Sequence, residues 1–284
     1  MNLVVGSTGL LGRMITLGLL ERGLPVRSLL RGDASIAGVE SVRGDLKDPS
    51  SLEKAMHGIT TVITSATSAQ RGGDDNVSSV DDAGNRSLID AAKRAGVSRF
   101  IFISAAAVDE ASPVPLFAAK ARVEKHLRDS GMEWTIVAPH AFMDVWFPLL
   151  IGSAIGSGQP VSLIGGGKRR HSFIAVEDVA RFAVAAVGNP AARNLRIVIG
   201  GPEALSFQDV VRQSSEILRR EIPTRVIEPG EPIPHLPPPL NQVIGQLAAG
   251  LEQQDVILDT QATARTFGIT LTPAATVLRR MFAG

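Results

Sequence analysis

Three glycines spaced three residues apart, Gly6, Gly9 and Gly12, carry the clearest chemical signal in the chain. A glycine can permit a tight turn, let backbone amides approach a ligand, or let a helix pack closely on a sheet, and we assign these tasks to the three in that order. The following helix would direct its free N–H groups at a phosphate. We therefore expect a dinucleotide pyrophosphate to be held by Gly6, Ser7, Thr8, Gly9, Leu10, Leu11 and Gly12.

Such a motif requires a strand before the glycines and a helix after them. The short apolar run Asn2 to Val5 supplies the strand, and Met14, Ile15, Leu19 and Leu20 are spaced to face a sheet from one side of a helix. The spacing is GxxGxxG rather than GxGxxG. The alternative is a glycine-rich turn that binds nothing, and the strand–turn–helix context disfavours it.

Arg31 ends the second predicted strand, nineteen positions after Gly12. At about that distance a carboxylate would hold the ribose 2′-hydroxyl of NAD, whereas an arginine can pair with the 2′-phosphate of NADP. Arg31 therefore predicts NADP(H) as cofactor, with Arg13 and Arg27 as assisting cations. The alternative is a solvated arginine, with Asp33 reaching the ribose instead.

Short apolar runs alternate with helical patterns through the first half of the chain, which is typical of a parallel sheet. We predict an α/β fold, a Rossmann-type doubly wound parallel sheet with a smaller C-terminal α/β substrate portion. Residues 1–150 would form the NADP-binding Rossmann domain, and residues 151–284 the substrate-facing portion, which is not an independent fold. The polar segment Gln70 to Asp75 is expected to be mobile, and one long helix is expected from Val77 to Ala95.

Composition excludes several other classes of protein. The 284 residues include 29 Lys and Arg against 28 Asp and Glu, so no basic field favours nucleic acid or a membrane surface. The absence of cysteine excludes disulfides, thiolate metal sites and a cysteine nucleophile, and the five histidines lack ligand spacing, so no metal is expected. We expect a cytoplasmic protein that binds a small hydrophobic substrate but neither nucleic acid nor membrane, with a homodimer left open.

The ordered motifs resemble the NmrA-like group of atypical short-chain dehydrogenase/reductases. That group includes NADPH-dependent quinone and isoflavone reductases as well as redox-sensing regulators. The matching stretches are GSTGLLG at Gly6 to Gly12, VRSLLR ending at Arg31, GDLKD at Gly44 to Asp48, RFIFIS at Arg99 to Ser104, AKARVEKHLRDSGMEWTIVAPHAFM at Ala119 to Met143, and FIAVEDVA at Phe173 to Ala180.

The resemblance implies further site residues. Cofactor contacts are expected from Asp45, Leu46, Ala66, Thr67, Lys120, Pro139 and Phe142. Short-chain dehydrogenases generally pair a tyrosine with a lysine four positions later, and the lysine lowers the pKa of the phenol so that it can donate a proton. Here Lys120 occupies the lysine position, Leu116 stands in place of the tyrosine, and the chain contains no tyrosine at all.

Two residues remain as catalytic candidates, Lys120 and His140. Lys120 could bond the nicotinamide ribose and place positive charge near an accepting oxygen, and its alternatives are a surface lysine or an ion pair with Glu124. His140 is the candidate general acid, although a structural loop histidine is the favoured alternative. Trp146 and Phe147 would line a flat substrate pocket, or else belong to the core.

Two function classes follow from these residues. The first, which we favour, is an NADPH-dependent oxidoreductase that transfers hydride to a quinone, enone or imine without the usual tyrosine acid. The second is a non-catalytic NADP(H)-binding redox sensor or regulator, for which the missing tyrosine is the expected feature.

Overall fold

The computed structural model describes residues 1–69 and 73–283, and the chain divides into two compact units. The first unit comprises Met1–Pro139 with Val179–Val198, and the second comprises His140–Asp178 with Ile199–Gly284. The predicted boundary between residues 150 and 151 stays a prediction. The expectation of mobility for Gln70 to Asp75 falls partly outside the described residues. Within the described part of the chain, no helix is long and apolar enough to cross a membrane.

The first unit is built on a seven-stranded sheet with the order β3-β2-β1-β4-β5-β6-β8. In the described residues the strands are, in chain order, β1 (Asn2–Val5), β2 (Val26–Leu30), β3 (Glu40–Arg43), β4 (Thr61–Thr64), β5 (Arg99–Ile103), β6 (Glu133–Pro139), β7 (Val161–Ile164), β8 (Leu195–Ile199) and β9 (Thr224–Ile227). β1 pairs in parallel with β2 on one side and β4 on the other. The strand order therefore reverses beside β1, at the position where open α/β sheets bind ligands.

The central strands are buried on both faces, which explains their apolar, branched sequences. Every residue of β1, β4 and β5 is buried, and Leu3, Val62 and Phe100 are fully inaccessible members of one core cluster. In the described residues the α-helices are α1 (Leu10–Glu21), α2 (Pro49–Ala55), α3 (Asn85–Arg94), α4 (Pro115–Arg128), α5 (Met143–Phe147), α6 (Ser153–Gly156), α7 (Val176–Ala186), α8 (Phe207–Leu218), α9 (Leu240–Leu251), α10 (Gln261–Thr266) and α11 (Ala274–Ala283). The doubly wound α/β prediction is confirmed.

The single long helix predicted from Val77 was wrong in its first half. Val77–Gly84 is a π-helix, and regular α-helix begins only at Asn85. The Asn85 amide donates to the carbonyls of Val80 and Asp81, at 3.1 and 3.2 Å, and its own oxygen accepts from the Thr64 hydroxyl at 3.0 Å. These side-chain bonds satisfy carbonyls in the π-helical turn, and such turns are frequent at functional sites.

The second unit has its own apolar core and a small parallel sheet of β7 and β9, with Val161 opposite Thr224. Phe147, Phe173 and Phe207 are buried in this core, and the Phe173 ring lies 5.4 Å from that of Phe147 and 5.3 Å from that of Phe207. Phe147 is thus a core residue. Trp146 is partly buried, with its ring centroid 6.4 Å from that of Phe207.

Candidate functional site

The glycine turn between β1 and α1 is held together by close backbone contacts. Gly6 has a φ of +88°, which favours glycine, and a Cβ there would lie 3.0 Å from the amide nitrogen of Ala66. At Gly12 a Cβ would lie only 2.0 Å from the Gly6 carbonyl oxygen. Gly9 differs from both, because its φ is −77° and the nearest atom to a Cβ would be 3.4 Å away. Gly6 and Gly12 are therefore required by the fold, whereas Gly9 is not.

Gly9 caps a helix whose first amides are available to a ligand. No side chain caps α1, and its first turn contains no acidic residue. The first N–H groups of a helix lack intrahelical acceptors, and the helix dipole makes this end positive. A pyrophosphate fits such a turn, since it supplies both the acceptors and the negative charge. Leu10 is 54% exposed, so the beginning of α1 is open.

A cavity of about 260 Å³ lies at the carboxyl ends of β1, β2, β3 and β4. It is lined by Val5, Gly6, Thr8, Leu29, Leu30, Arg31, Gly32, Ala34, Gly44, Asp45, Leu46, Ala66 and Val80. Six predicted cofactor residues thus meet in one place, namely Gly6, Thr8, Arg31, Asp45, Leu46 and Ala66. Apolar walls beside Arg31 suit the adenosine half of a dinucleotide, and contact of these residues with the cofactor stays a prediction.

The remaining predicted cofactor residues are not part of the cavity lining. Ser7 is fully buried inside the turn, and the hydroxyl of Thr67 accepts a hydrogen bond from the amide of Ala69 at 3.3 Å. Pro139 ends β6 in the first unit, and Phe142 precedes α5 in the second. Their roles, like that of Lys120, stay predictions.

Arg31 forms an ion pair with Asp75. Lys47 bonds the other oxygen of the same carboxylate at 2.7 Å, and this hydrogen bond raises the pKa of Lys47. The Arg31 side chain is 44% exposed and that of Asp75 only 7%. Two cations from the loops after β2 and β3 therefore converge on one carboxylate beside the cavity.

Two other charged residues named in the sequence analysis have different surroundings. The Arg27 guanidinium bonds Glu40 at 2.8 Å and donates to the carbonyls of Ala55 and His57, and its role as an assisting cation stays a prediction. The Asp33 side chain is 96% exposed and lies 3.6 Å from Arg43. Asp33 is therefore oriented into solvent.

The loop after β4 is fixed by a buried carboxylate. Asp81 is 1% exposed, and its Oδ2 accepts from both the amide and the hydroxyl of Ser68, at 3.0 and 2.6 Å. Within the described residues its Oδ1 is buried without a hydrogen-bond partner. The Asp81 charge also acts on Lys120, whose pKa it raises against the larger lowering caused by burial.

Lys120 is not an ordinary surface lysine. Its ammonium donates to the Ile103 carbonyl at 2.9 Å, at the end of β5, and lies 5.1 Å from the centre of the Phe102 ring. Burial lowers the pKa of Lys120. An ammonium has three donors, so the contact with Ile103 leaves capacity for a ribose hydroxyl or an accepting oxygen.

The alternative of a Lys120–Glu124 ion pair was wrong because Glu124 has other partners. Glu124 is 2% exposed and bonds Arg128 at 2.5 Å and Arg196 at 2.9 Å. Ser104 donates to the same carboxylate at 2.5 Å. The serine at the position expected for a short-chain dehydrogenase serine is thus committed to a buried charge network.

His140 lies beside a second histidine in the second unit. His171 is fully buried and its Nε2 is 2.7 Å from the Leu251 carbonyl oxygen, which can only accept, so this nitrogen carries the proton. The Nδ1 of neutral His171 must then accept from His140 Nε2, 3.2 Å away. Burial and the neighbouring His171 lower the pKa of His140 to about 4. At pH 7 His140 is therefore neutral, and its one ring proton is donated to His171. In this state His140 can accept a hydrogen bond from a ligand more readily than it can donate a proton to one.

Sequence reasoning missed four residues at these places, namely Lys47, Asp75, Asp81 and His171. Lys47 belongs to the GDLKD stretch, and its position beside Asp45 was the one available signal. Asp75 and Asp81 were ordinary acids in or after a polar loop. His171 follows three basic residues, which favoured a solvated turn.

Comparison with known proteins identifies the family of this chain. An NAD(P)H-binding family model matches residues 6–190. The NAD(P)H azoreductase of Xenophilus azovorans is 32% identical over 228 residues, covering 78% of this chain and 75% of that protein. Photosystem II assembly factor Ycf39 of Trieres chinensis is 29% identical over 223 residues, covering 76% of this chain and 68% of that protein.

A solved structure extends the likeness in fold to almost the whole chain. The NADPH-dependent quinone oxidoreductase QOR2 of Escherichia coli, complexed with NADPH, has a TM-score of 0.84 at 18% identity, with 99% of this chain and 100% of that chain covered. The family model and the azoreductase relative together show that this protein binds NAD(P)H, as predicted. The chain belongs to the NAD(P)H-binding family, an oxidoreductase family of the atypical short-chain dehydrogenase/reductase type.

Proposed function

We propose that this protein is an NADPH-dependent reductase that transfers hydride to a small, hydrophobic, conjugated acceptor of the quinone, enone or imine type. The observation that carries the proposal is the arrangement around Lys120. A desolvated ammonium is present at the end of β5, while Leu116 replaces the tyrosine and Ser104 is bonded to Glu124. The charge that can polarise an acceptor remains, but the usual proton donor does not.

The choice of acceptor follows from that missing donor. When bound, NADPH supplies a hydride. A conjugated acceptor can take hydride at a delocalised centre, and the new anion can collect its proton from water or from Lys120. An isolated carbonyl would instead need a proton donor at its oxygen. The related azoreductase and quinone oxidoreductase are named for conjugated acceptors, which supports this class.

The preference for NADPH rests on the adenosine end of the cavity. Arg31 and Lys47 bring two positive charges to one place, where a 2′-phosphate would find charge-assisted hydrogen bonds. The structural relative crystallised with NADPH supports the same choice. The substitution Arg31→Ala should weaken the binding of NADPH by about tenfold or more and the binding of NADH by much less. Equal losses for the two cofactors would refute the assignment.

Turnover is tested by following NADPH oxidation with a panel of quinones, enones, imines and azo dyes. We expect steady oxidation by at least one conjugated class and none by isolated ketones. Gly9→Val is the control, because a Cβ at this position meets no atom of the fold closer than 3.4 Å, while the side chain would obstruct the phosphate. If NADPH binds tightly but no acceptor oxidises it, the reductase proposal fails.

That outcome would favour the second candidate, a redox sensor or assembly protein that binds NADP(H) without turnover. The commitment of Ser104 to Glu124 favours it, since a chain without catalysis can use this serine for structure. The Ycf39 relatives are named as assembly factors, which points the same way. For this candidate, oxidised and reduced cofactor should differ in their effect on binding of a protein partner, with no net consumption.

A further inference from the structure

We propose that Asp75 sets how strongly this protein discriminates NADPH from NADH, because its carboxylate occupies the place between Arg31 and Lys47 that the 2′-phosphate needs. The inference rests on the proposed function of Arg31. It assigns to Asp75 an effect opposite to that of the two cations. Asp75 limits the preference for NADPH.

The geometry places one carboxylate against both cations. Arg31 follows β2 and lines the cavity, and Lys47 follows β3 beside the cavity residues Asp45 and Leu46. One oxygen of Asp75 pairs with Arg31, and the other accepts from Lys47 at 2.7 Å. A carboxylate that bridges two cations through its two oxygens mimics the way that a phosphate would be held there.

The burial of the three side chains supports this reading. The carboxylate of Asp75 is 7% exposed, whereas the side chains of Arg31 and Lys47 are 44% and 34% exposed. The anion is therefore the least exposed member of the cluster. In such a place the charge interaction is screened less than on an open surface.

Charge balance gives the direction of the effect. Arg31, Lys47 and Asp75 together carry about +1, and without Asp75 the two cations carry about +2. A phosphate monoester carries about −1.5 to −2 at neutral pH. NADPH must therefore either displace Asp75 from its cations or bind beside a like charge. NADH has no 2′-phosphate and meets neither cost.

The experiment measures dissociation constants of NADPH and NADH for the wild-type chain and for Asp75→Asn. The substitution keeps the shape and removes the charge. We expect NADPH to bind about three- to tenfold more tightly and NADH to change by less than about twofold. Thermal unfolding of the variant without cofactor checks that it is folded.

Asp33→Asn is the matched control. It removes the same charge from the loop after β2, but its side chain is 96% exposed and lies near Arg43, so the NADPH to NADH ratio should stay unchanged. The double variant Arg31→Ala with Asp75→Asn should lose most of the gain, because the freed cation is then absent.

Three outcomes would overturn the inference. Equally weaker binding of NADPH and NADH in the variant would mean that Asp75 helps to retain either nucleotide. Weaker binding of NADH alone would mean that Asp75 is a ligand of the ribose. No change in either cofactor would make it a structural bridge. If Arg31→Ala weakens the binding of NADPH more than that of NADH, while Asp75→Asn changes neither dissociation constant, only this inference fails. If Arg31→Ala is not selective, the proposed adenosine site fails with it.

Discussion

At the scale of single residues, the proton on His140 decides what this side chain can do. The chain of contacts from the Leu251 carbonyl through His171 fixes the tautomer of both rings in the neutral state. The lowered pKa of His140 means that it titrates near pH 4 rather than near neutrality. A general acid works best with a pKa close to the working pH, so His140 is poorly matched to proton donation.

The same shift predicts a dependence of stability on pH. The pKa of His140 is about 4 when folded, against 6.5 for the unperturbed side chain, so between these values the unfolded chain binds more protons. The stabilising contribution is present above about pH 6.5 and is lost as pH falls towards 4. The free energy of unfolding, measured in urea, should fall between pH 7 and pH 4 for both proteins. The fall should be smaller for His140→Gln than for the wild type by about 2–3 kcal/mol.

A Glu53→Gln variant, which alters an exposed surface pair with Arg94, serves as control and should follow the wild-type curve. If turnover is found, the dependence of its rate on pH is an independent test of the protonation state of His140. An inflection near pH 6.5 that His140→Gln abolishes would contradict the neutral, committed imidazole described above.

At the scale of elements, Gly9, which caps α1, and Gly12, in the first turn of that helix, differ in whether the fold requires a glycine. A Cβ at Gly12 would overlap the Gly6 carbonyl at 2.0 Å, and backbone cannot move aside cheaply there. A Cβ at Gly9 meets nothing closer than 3.4 Å, and φ is already in the range of ordinary residues. Gly12→Ala should therefore lower the free energy of unfolding by several kcal/mol, roughly the scale of an overpacked core site.

Gly9→Val should instead leave the melting temperature of the cofactor-free protein nearly unchanged and weaken both NADPH and NADH strongly. Circular dichroism melts and cofactor titrations separate the two effects. Cofactor binding by Gly9→Val at the wild-type level would show that the amides at the start of α1 do not hold the pyrophosphate.

Prediction from sequence succeeded for elements whose signal is local. The apolar run Asn2 to Val5 forms β1, as predicted, and Met14, Ile15, Leu19 and Leu20 lie on the helix that was predicted to follow it. It failed where structure depends on distant partners. β7 and β9 are four-residue strands that pair across sixty residues, and neither has a distinctive pattern by itself. The π-helix at Val77 depends likewise on Asn85 and Thr64.

The site shows the same division. The glycine turn and Arg31 were recognised because a phosphate imposes residue types at fixed spacing. Asp75 was not, because its partner Arg31 lies 44 positions away and its partner Lys47 lies 28 positions away. The contact between His140 and His171 spans 31 positions, with no spacing rule to reveal it. Residue type and spacing thus predict a backbone site, while side-chain charge pairs require the fold.

At the scale of the whole molecule, cofactor binding should be visible as thermal stabilisation. A ligand that binds only the folded chain stabilises it by RT ln(1 + [L]/Kd), which is about 2.7 kcal/mol at a hundredfold excess over Kd. For a chain of this size each kcal/mol raises the melting temperature by about 2–4 °C, so saturating NADPH should raise it by roughly 5–10 °C.

Fragments of the cofactor divide this stabilisation between the two ends of the site. Because Arg31 and Lys47 lie beside the cavity that suits adenosine, adenosine 2′,5′-bisphosphate should raise the melting temperature more than adenosine 5′-monophosphate at equal concentration. Raising salt from about 50 to 500 mM should reduce the first shift more than the second, since exposed charge pairs are screened. Equal shifts from the two fragments, insensitive to salt, would place the 2′-phosphate away from Arg31 and contradict the NADPH preference, while leaving the pyrophosphate turn at Gly9 untouched.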